Sequence, residues 1–192
     1  MKKIILASSS PRRIELLKQI GINPQVIKSQ IEETIREFEI PEQVAMSLAF
    51  RKAYDVALNE NQGIFIGADT IVVFEDEILG KPKDKEDAFY MLKKLSNKEH
   101  YVITGFSILD LVNGIKIVDY EKTKVTFNEL TEDRIKAYIE TNEPLDKAAA
   151  YGIQGKGALL VKRLEGCYFN VVGLPLSKVE YYLRNYFNIN TL

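Results

Sequence analysis

The sequence contains only one histidine, His100, and one cysteine, Cys167, among its 192 residues. These counts exclude disulfide scaffolds and zinc sites built from cysteine and histidine side chains. A serine or cysteine nucleophile activated by histidine would depend on His100, which lies at the predicted start of a strand. The sequence therefore disfavours this mechanism.

The chain also lacks an excess of charge of either sign and any long hydrophobic run. Its 26 Lys and Arg residues balance 27 Asp and Glu residues, so we expect no nucleic acid polymer as partner. The apolar stretch at residues 4–7 is too short for a signal peptide or a membrane span, and we expect a cytoplasmic protein without a membrane partner. With 46% hydrophobic residues, the composition is that of a globular domain.

Hydrophobic periodicity divides the chain into alternating strands and helices. Strands are predicted at residues 3–7, 24–29, 63–67, 71–74, 78–79, 100–111, 115–127 and 158–164, and helices at residues 11–20, 41–58, 85–95, 131–139 and 174–187. The dipeptide Asn113-Gly114 predicts a tight hairpin between the two longest strands. This order predicts an α/β fold with a mixed sheet, in a single domain spanning residues 1–192.

The first candidate site is the segment Ser8-Ser9-Ser10-Pro11-Arg12-Arg13, in which Ser10 is the predicted N-cap of a helix. Arg12 and Arg13 then fall in the first turn, where the helix dipole favours anions. A bound phosphate would resolve this conflict, because hydroxyls, backbone N–H groups and guanidiniums all donate to phosphate oxygens. A capped helix with two solvated arginines is an equally good interpretation of this segment alone.

Two acidic residues form a second candidate site. Asp69 follows the predicted strand at residues 63–67 and is expected at its end, where open α/β sheets bind ligands. Asp69 and Glu33 could supply carboxylates to Mg²⁺, which takes oxygen ligands and substrate phosphates. Taken singly, a turn residue at Asp69 and a surface charge at Glu33 are the simpler interpretations.

Two lysines occupy constrained positions. Lys52 lies among small residues on the predicted buried face of its helix, so its ammonium should either reach solvent or pair with an anion. Lys81 precedes Pro82, which favours extended backbone and a fixed direction for the side chain. A solvated lysine is the default interpretation of each.

The glycine-rich segment Tyr151-Gly152-Ile153-Gln154-Gly155-Lys156-Gly157 is the fourth candidate. Its glycines allow a backbone to approach a ligand closely, and the Gln154 amide can read the edge of a nucleobase. The spacing is neither that of a P-loop nor that of a dinucleotide-binding loop. A tight turn is the simpler interpretation of this segment alone.

In chain order, these segments resemble one family, the Maf nucleotide pyrophosphatases, over the whole chain. The resemblance rests on LASSSPRR at 6–13, IEE at 31–33, GADT at 67–70, LGKP at 79–82 and GLPL at 173–176. The segment DKAAAYGIQG at 146–155 further resembles the subgroup acting on dTTP and UTP, rather than the one acting on 7-methyl-GTP.

The resemblance implies a role for each candidate residue. Asp69 would be the catalytic acid–base residue and, with Glu33, a ligand of Mg²⁺, with Mn²⁺ and Co²⁺ as alternative metals. Phosphate contacts would come from Ser8, Arg13, Lys52 and Lys81. Positions associated with base preference correspond to Arg12, Thr70 and Gln154. The family's pattern differs at Asn97 and Ala149, where glycine is common, and at Cys167, where an acidic residue is usual.

The resemblance also implies a fold and an activity. The fold would be an elongated, two-lobed domain with a twisted mixed sheet, flanking helices and a central cleft, assembled as a homodimer. The implied activity is a house-cleaning hydrolysis of dTTP, UTP or modified pyrimidine triphosphates to nucleoside monophosphate and pyrophosphate, linked to cell-division arrest. Two alternatives stay open: a related enzyme acting on purine or modified triphosphates, and a nucleotide-binding regulator of septum formation without turnover.

Overall fold

The computed structural model describes residues 3–35, 39–60 and 62–192, and it confirms the predicted α/β class. The strands are β1 (Ile4–Leu6), β2 (Gln25–Val26), β3 (Ile64–Phe74), β4 (Glu77–Leu79), β5 (Glu99–Asp110), β6 (Ile115–Phe127) and β7 (Val161–Glu165). The helices are α1 (Pro11–Gln19), α2 (Pro41–Asn59), α3 (Lys85–Leu95), α4 (Glu132–Ile139), α5 (Tyr168–Val172) and α6 (Leu176–Phe187). No helix among the described residues combines the length and the apolar character that crossing a bilayer requires. Met1 and Lys2, which precede the apolar stretch at residues 4–7, lie outside the described residues.

The seven strands form one mixed sheet, as predicted. Their order is β2-β1-β3-β5-β6-β7, and β4 pairs with β3 outside this path. β1 pairs in parallel with both β2 and β3, so that Ile5 lies opposite Gln25 on one side and Phe65 on the other. β4 and β7 pair antiparallel with β3 and β6. A hairpin joins β5 to β6 as predicted, and its loop spans residues 111–114, in which Gly114 has a left-handed φ of 70°.

The chain divides into two compact units. Unit 1 contains Met1–Asp69, Thr104–Glu121 and Gly173–Leu192, and unit 2 contains Thr70–Ile103 and Lys122–Val172. Each unit has buried apolar side chains of its own. One buried cluster of unit 1 consists of Ile5, Ala7, Ala53, Val56, Ala57, Phe65 and Leu109. The core of unit 2 includes Val72, Leu92, Leu95, Val125, Phe127, Ile135 and Tyr151.

Within unit 1, helix α2 packs closely against β3 and β5 because each strand has a glycine at the contact. A Cβ atom on Gly67 would lie only 2.9 Å from the Cβ of Ala53, and one on Gly105 would overlap the backbone of Ala45. Side chains alternate between the faces of a strand, so Gly67 and Asp69 share the face that α2 covers. This packing turns Asp69 towards α2.

Several element boundaries differ from the prediction. The predicted strand at 24–29 shortens to β2, and the predicted strand at 158–164 begins only at Val161, because Gly155–Leu160 forms a 3-10 helix. Helix α6 begins at Leu176, two residues later than predicted, and α5 was not predicted. With five residues, α5 is too short for helical periodicity to identify it.

Candidate active site

Asp69 lies in the middle of β3, and the prediction that it ends a strand is wrong. β3 continues without a break from Ile64 to Phe74. Gly67, which suggested a strand end, serves the close packing of α2 instead. β1 pairs with residues 64–66 of β3 and β4 with residues 72–74, so neither of these two strands pairs with Asp69. Leu6, the carboxyl end of β1, lies opposite Ile66, three residues before Asp69.

Lys52, on α2, connects the two predicted acidic residues. Its Nζ lies 2.5 Å from Oδ1 of Asp69 and 2.7 Å from Oε1 of Glu33. Lys52 and Asp69 are each only 9% exposed, whereas Glu33 is exposed. A buried ammonium needs such partners, because an unpaired charge away from water costs several kcal/mol. Of the two alternatives that its sequence position offers, reaching solvent or pairing with an anion, Lys52 shows the second.

Ser8 and Arg13 form a second contact at the end of β1. Arg13 Nη1 donates to Ser8 Oγ over 3.2 Å, and its Nε donates to the carbonyl oxygen of Gly173 over 2.9 Å. Ser8 Oγ also accepts from the backbone N–H of Ser10 over 3.3 Å. These bonds fix the guanidinium plane at the N-terminus of α1, where it can present N–H groups to an anion.

The electrostatic surroundings of Arg13 link it to the acidic pair. Burial lowers the pKa of the Arg13 guanidinium, and the positive charge of Arg12 lowers it further. The carboxylates of Asp69 and Glu33 act in the opposite direction and raise the pKa of Arg13. Arg13 is therefore a cation that loses hydration and gains from the nearby carboxylates of Asp69 and Glu33.

The start of α1 has the charge conflict that the sequence predicts. Pro11 is the first helical residue, Arg12 and Arg13 follow it, and the first turn contains no acidic residue. Ser10 occupies the N-cap position, but its side chain does not bond to the helix N–H groups. The start of a helix, with the positive end of the helix dipole, is a position at which proteins bind phosphate.

Two residues of α2 that sequence reasoning missed hold the loop carrying Glu33. Arg51 Nη2 donates to the carbonyl oxygen of Glu32 over 2.5 Å, and Nη1 donates to that of Thr34 over 2.9 Å. Asp55 Oδ2 accepts from the backbone N–H of Gln30 over 2.8 Å. No spacing in the sequence identifies these contacts, because their loop partners are main-chain groups that any residue could supply.

The donor set suits a hard divalent cation that also binds the substrate. Among the described residues, no group of three or more His, Cys, Asp and Glu side chains could hold a metal ion. Asp69 and Glu33 nevertheless reach one point in common, the Lys52 ammonium. Mg²⁺ is typically held by one or two carboxylates, with substrate phosphates and water completing the shell. Asp69 and Glu33 therefore fit Mg²⁺ in that mode.

The remaining predicted site residues belong to unit 2. Thr70 directly follows Asp69 in β3 and is half-buried. Lys81 is exposed and follows β4, next to the buried Pro82. Gln154 is exposed at the N-cap of the 3-10 helix Gly155–Leu160.

His100 is a core residue of unit 2. It is 1% exposed, and its Nε2 shares a 2.6 Å hydrogen bond with the hydroxyl of Tyr151. Its ring also contacts Phe127 edge-on. Burial lowers the pKa of His100 to about 4, so the imidazole is neutral at physiological pH. The imidazole is therefore packed in the core of unit 2.

Comparison with known proteins assigns the chain to a family. The family model described as "Maf-like protein" matches residues 3–186. A dTTP/UTP pyrophosphatase of Alkaliphilus oremlandii is 55% identical, with both chains covered completely. A dTTP/UTP pyrophosphatase of Clostridioides difficile is 51% identical over 97% of this chain and 96% of its own. One from a Geobacillus species is 56% identical over 93% of this chain and 95% of its own.

The match extends over nearly the whole chain and includes every candidate residue of the site. This chain is therefore a member of the Maf-like protein family.

Proposed function

We propose that this protein hydrolyses nucleoside triphosphates, with dTTP and UTP preferred, to nucleoside monophosphate and pyrophosphate. The observation that carries the proposal is the Lys52 ammonium held between Asp69 and Glu33. The contact of Ser8 with Arg13 and the shared name of the relatives support it. These relatives are hydrolases of the two pyrimidine nucleotides that their name gives.

Binding of the triphosphate would rest on fixed positive charge and on N–H donors. Arg13 offers a planar guanidinium that matches phosphate oxygens, and Ser8 adds a hydroxyl. The first turn of α1 adds backbone N–H groups and the positive end of its dipole. Lys52 and Lys81 add compact ammonium charges. Together these groups would neutralise the negative charge of the triphosphate, which binds without a covalent bond to the protein.

The reaction would be attack of water on the α-phosphorus. The new bond joins the water oxygen to the α-phosphorus, and the bond from that phosphorus to the bridging oxygen of the leaving pyrophosphate breaks. The Asp69 carboxylate would orient the water and accept its proton. Since phosphoryl transfer needs mainly positioning and charge neutralisation, Arg13 and Lys52 would stabilise the charge on the phosphate oxygens.

Asp69 and Glu33 are the residues that would hold the divalent cation. When bound, Mg²⁺ supplies positive charge that neutralises phosphate oxygens and orients the triphosphate. The Lys52 ammonium has three N–H donors, so it could also donate to a phosphate oxygen.

Choice of base would depend on Arg12, Thr70 and Gln154. The Gln154 amide carries both a donor and an acceptor, which suits the 4-oxo edge shared by uracil and thymine. Replacing Gln154 by alanine should reduce discrimination among bases. An unchanged substrate ranking in Gln154→Ala would show that base preference is set elsewhere.

The direct test measures pyrophosphate release from a panel of nucleoside triphosphates with and without Mg²⁺. The proposal predicts Mg²⁺-dependent release that is fastest with UTP and dTTP. Faster turnover of purine or modified triphosphates would replace the proposed substrate class. Saturable nucleotide binding without turnover would reject the enzymatic proposal and favour a regulator.

A further inference from the structure

A single carboxylate, that of Glu143, braces the loop that carries Gln154. Oε1 of Glu143 accepts from the backbone N–H of Lys156 over 3.2 Å, and Oε2 accepts from that of Gly157 over 3.3 Å. These N–H groups lie in the 3-10 helix Gly155–Leu160, whose N-cap position is Gln154. A charged acceptor strengthens both bonds relative to a neutral one.

Gly155 explains why the carboxylate can come this close. Its φ is 66°, in the left-handed region that glycine adopts freely. A Cβ atom at this position would lie 3.0 Å from Oε1 of Glu143. The residue after Gln154 thus has both the backbone conformation and the open space that the Glu143 contact needs.

The two ends of the loop also meet. A Cβ atom on Gly157 would overlap the carbonyl oxygen of Gly152 and lie 2.6 Å from the hydroxyl of Tyr138. The Tyr138 hydroxyl in turn accepts from the Gly152 N–H over 3.4 Å. Residues 152–157 therefore form a closed loop, with the exposed Gln154 between its anchored ends.

Glu143 is itself held in place by the turn in which it lies. The Lys147 ammonium donates to the main-chain oxygen of Glu143 over 2.5 Å and contacts Asp146 at 2.7 Å. The backbone N–H of Glu143 donates to the hydroxyl of Thr141 over 3.2 Å. The brace therefore connects the loop to a fixed part of unit 2.

We propose that Glu143 is a positioning residue for nucleobase selection: it fixes the closed loop so that the Gln154 amide meets the base in one orientation. This inference rests on the proposed function, in which Gln154 reads the base. Without the brace, Gln154 would sample several orientations, and the loss would fall on the preferred base more than on its competitors.

The test compares Glu143→Ala, Glu143→Gln and the control Glu140→Gln. Glutamine keeps one acceptor oxygen but loses the charge and the second acceptor, so its effect should lie between wild type and alanine. Glu140 is exposed in the same unit and contacts Lys85 at 3.0 Å, away from the loop bonds described above. Two quantities are measured: hydrogen exchange of the Lys156 and Gly157 amides without nucleotide, and kcat/KM for UTP relative to CTP.

In Glu143→Ala we expect faster exchange of both amides and an approximately tenfold fall in the UTP to CTP ratio, with kcat for the preferred base nearly unchanged. Glu143→Gln should be intermediate and Glu140→Gln should match wild type. Faster exchange with an unchanged ratio would overturn the proposal, and so would unchanged exchange.

A failure of the proposed function can be distinguished from a failure of the role proposed for Glu143. If the wild-type chain releases no pyrophosphate from any nucleotide, the ratio is measured instead as binding of non-hydrolysable UTP and CTP analogues. Loss of base preference in binding by Glu143→Ala would still support the role of Glu143. Equal preference in variant and wild type would reject it.

Discussion

Lys52 Nζ and Asp69 Oδ1 lie 2.5 Å apart, and both side chains are buried. The pair joins the middle of α2 to the middle of β3. It forms because Gly67 admits α2 close to the strand and because Asp69, two residues later, faces the same side. A packing requirement in unit 1 thus positions two charged groups of the candidate site.

Replacing Lys52 by methionine should lower the stability of the protein and increase the rise in Tm that Mg²⁺ causes. Without the ammonium, the buried Asp69 carboxylate loses its counter-charge, and breaking such a pair costs about 3 kcal/mol. Added Mg²⁺ should raise the Tm of Lys52→Met more than that of wild type, because the cation replaces the missing charge. Differential scanning fluorimetry with and without Mg²⁺ measures both effects. Lys85→Met, at an exposed ion pair with Glu140, is the control and should show neither. An equal Mg²⁺ response in all three proteins would argue against a cation held by Asp69 and Glu33.

Replacing Arg51 by lysine should impair catalysis with little effect on stability. A lysine keeps the charge but cannot donate to two carbonyl oxygens in the fixed geometry of a guanidinium. The loop carrying Glu33 would loosen, and we expect kcat/KM for UTP to fall about tenfold. Steady-state kinetics measures this, and the control is Arg184→Lys, at an exposed arginine that pairs with Glu180 on the same helix. Equal kinetics for the two variants would remove Arg51 from the site.

The buried His100 predicts how stability depends on pH. Its pKa is lowered from 6.5 to about 4 in the folded state, so the unfolded chain binds a proton there more tightly. The neutral, buried imidazole therefore contributes fully to the free energy of unfolding above pH 6.5. This contribution, about 3 kcal/mol in all, is lost as the pH falls towards 4. Urea denaturation between pH 7.5 and pH 4.5 measures the loss. Since the chain has one histidine, its imidazole NMR signal reports the pKa directly, and titration near 6.5 in the folded protein would contradict this account.

Asn97 occupies a position that favours glycine. Its φ is 54°, and its backbone N–H donates to the carbonyl oxygen of Asn128 over 3.0 Å in the turn before β5. A β-branched residue in this conformation should cost about 1–2 kcal/mol, whereas glycine adopts it freely. Urea denaturation should therefore give Asn97→Gly at least wild-type stability and Asn97→Val a clear loss. Equal stability of the two variants would show that the turn changes conformation.

Sequence patterns predicted most helices and strands because their apolar residues recur with clear periods. They also located the candidate residues, including the charge conflict at Arg12 and Arg13. The prediction was wrong about Asp69, since Gly67 has the same appearance at a strand end as at a close helix contact. The roles of Arg51 and Glu143 could not be predicted, because both act through main-chain groups of distant loops.

Asn97 and Ala149, at which the resemblance implies glycine, both have left-handed backbone conformations, with φ of 54° and 53°. Asparagine tolerates this region better than most residues, and alanine pays a steric cost there. The backbone conformation that favours glycine is thus kept at both positions.

Pyrophosphate release from UTP in Mg²⁺ by Asp69→Asn, measured beside wild type, decides whether Asp69 takes part in the reaction. Asparagine keeps the size of the side chain and a hydrogen-bond acceptor for Lys52, but it cannot take a proton from water. We predict that kcat falls at least about 100-fold, while the Tm falls less than in Lys52→Met, because Lys52 keeps Glu33 as a charged partner. Turnover at the wild-type rate by Asp69→Asn would contradict the account.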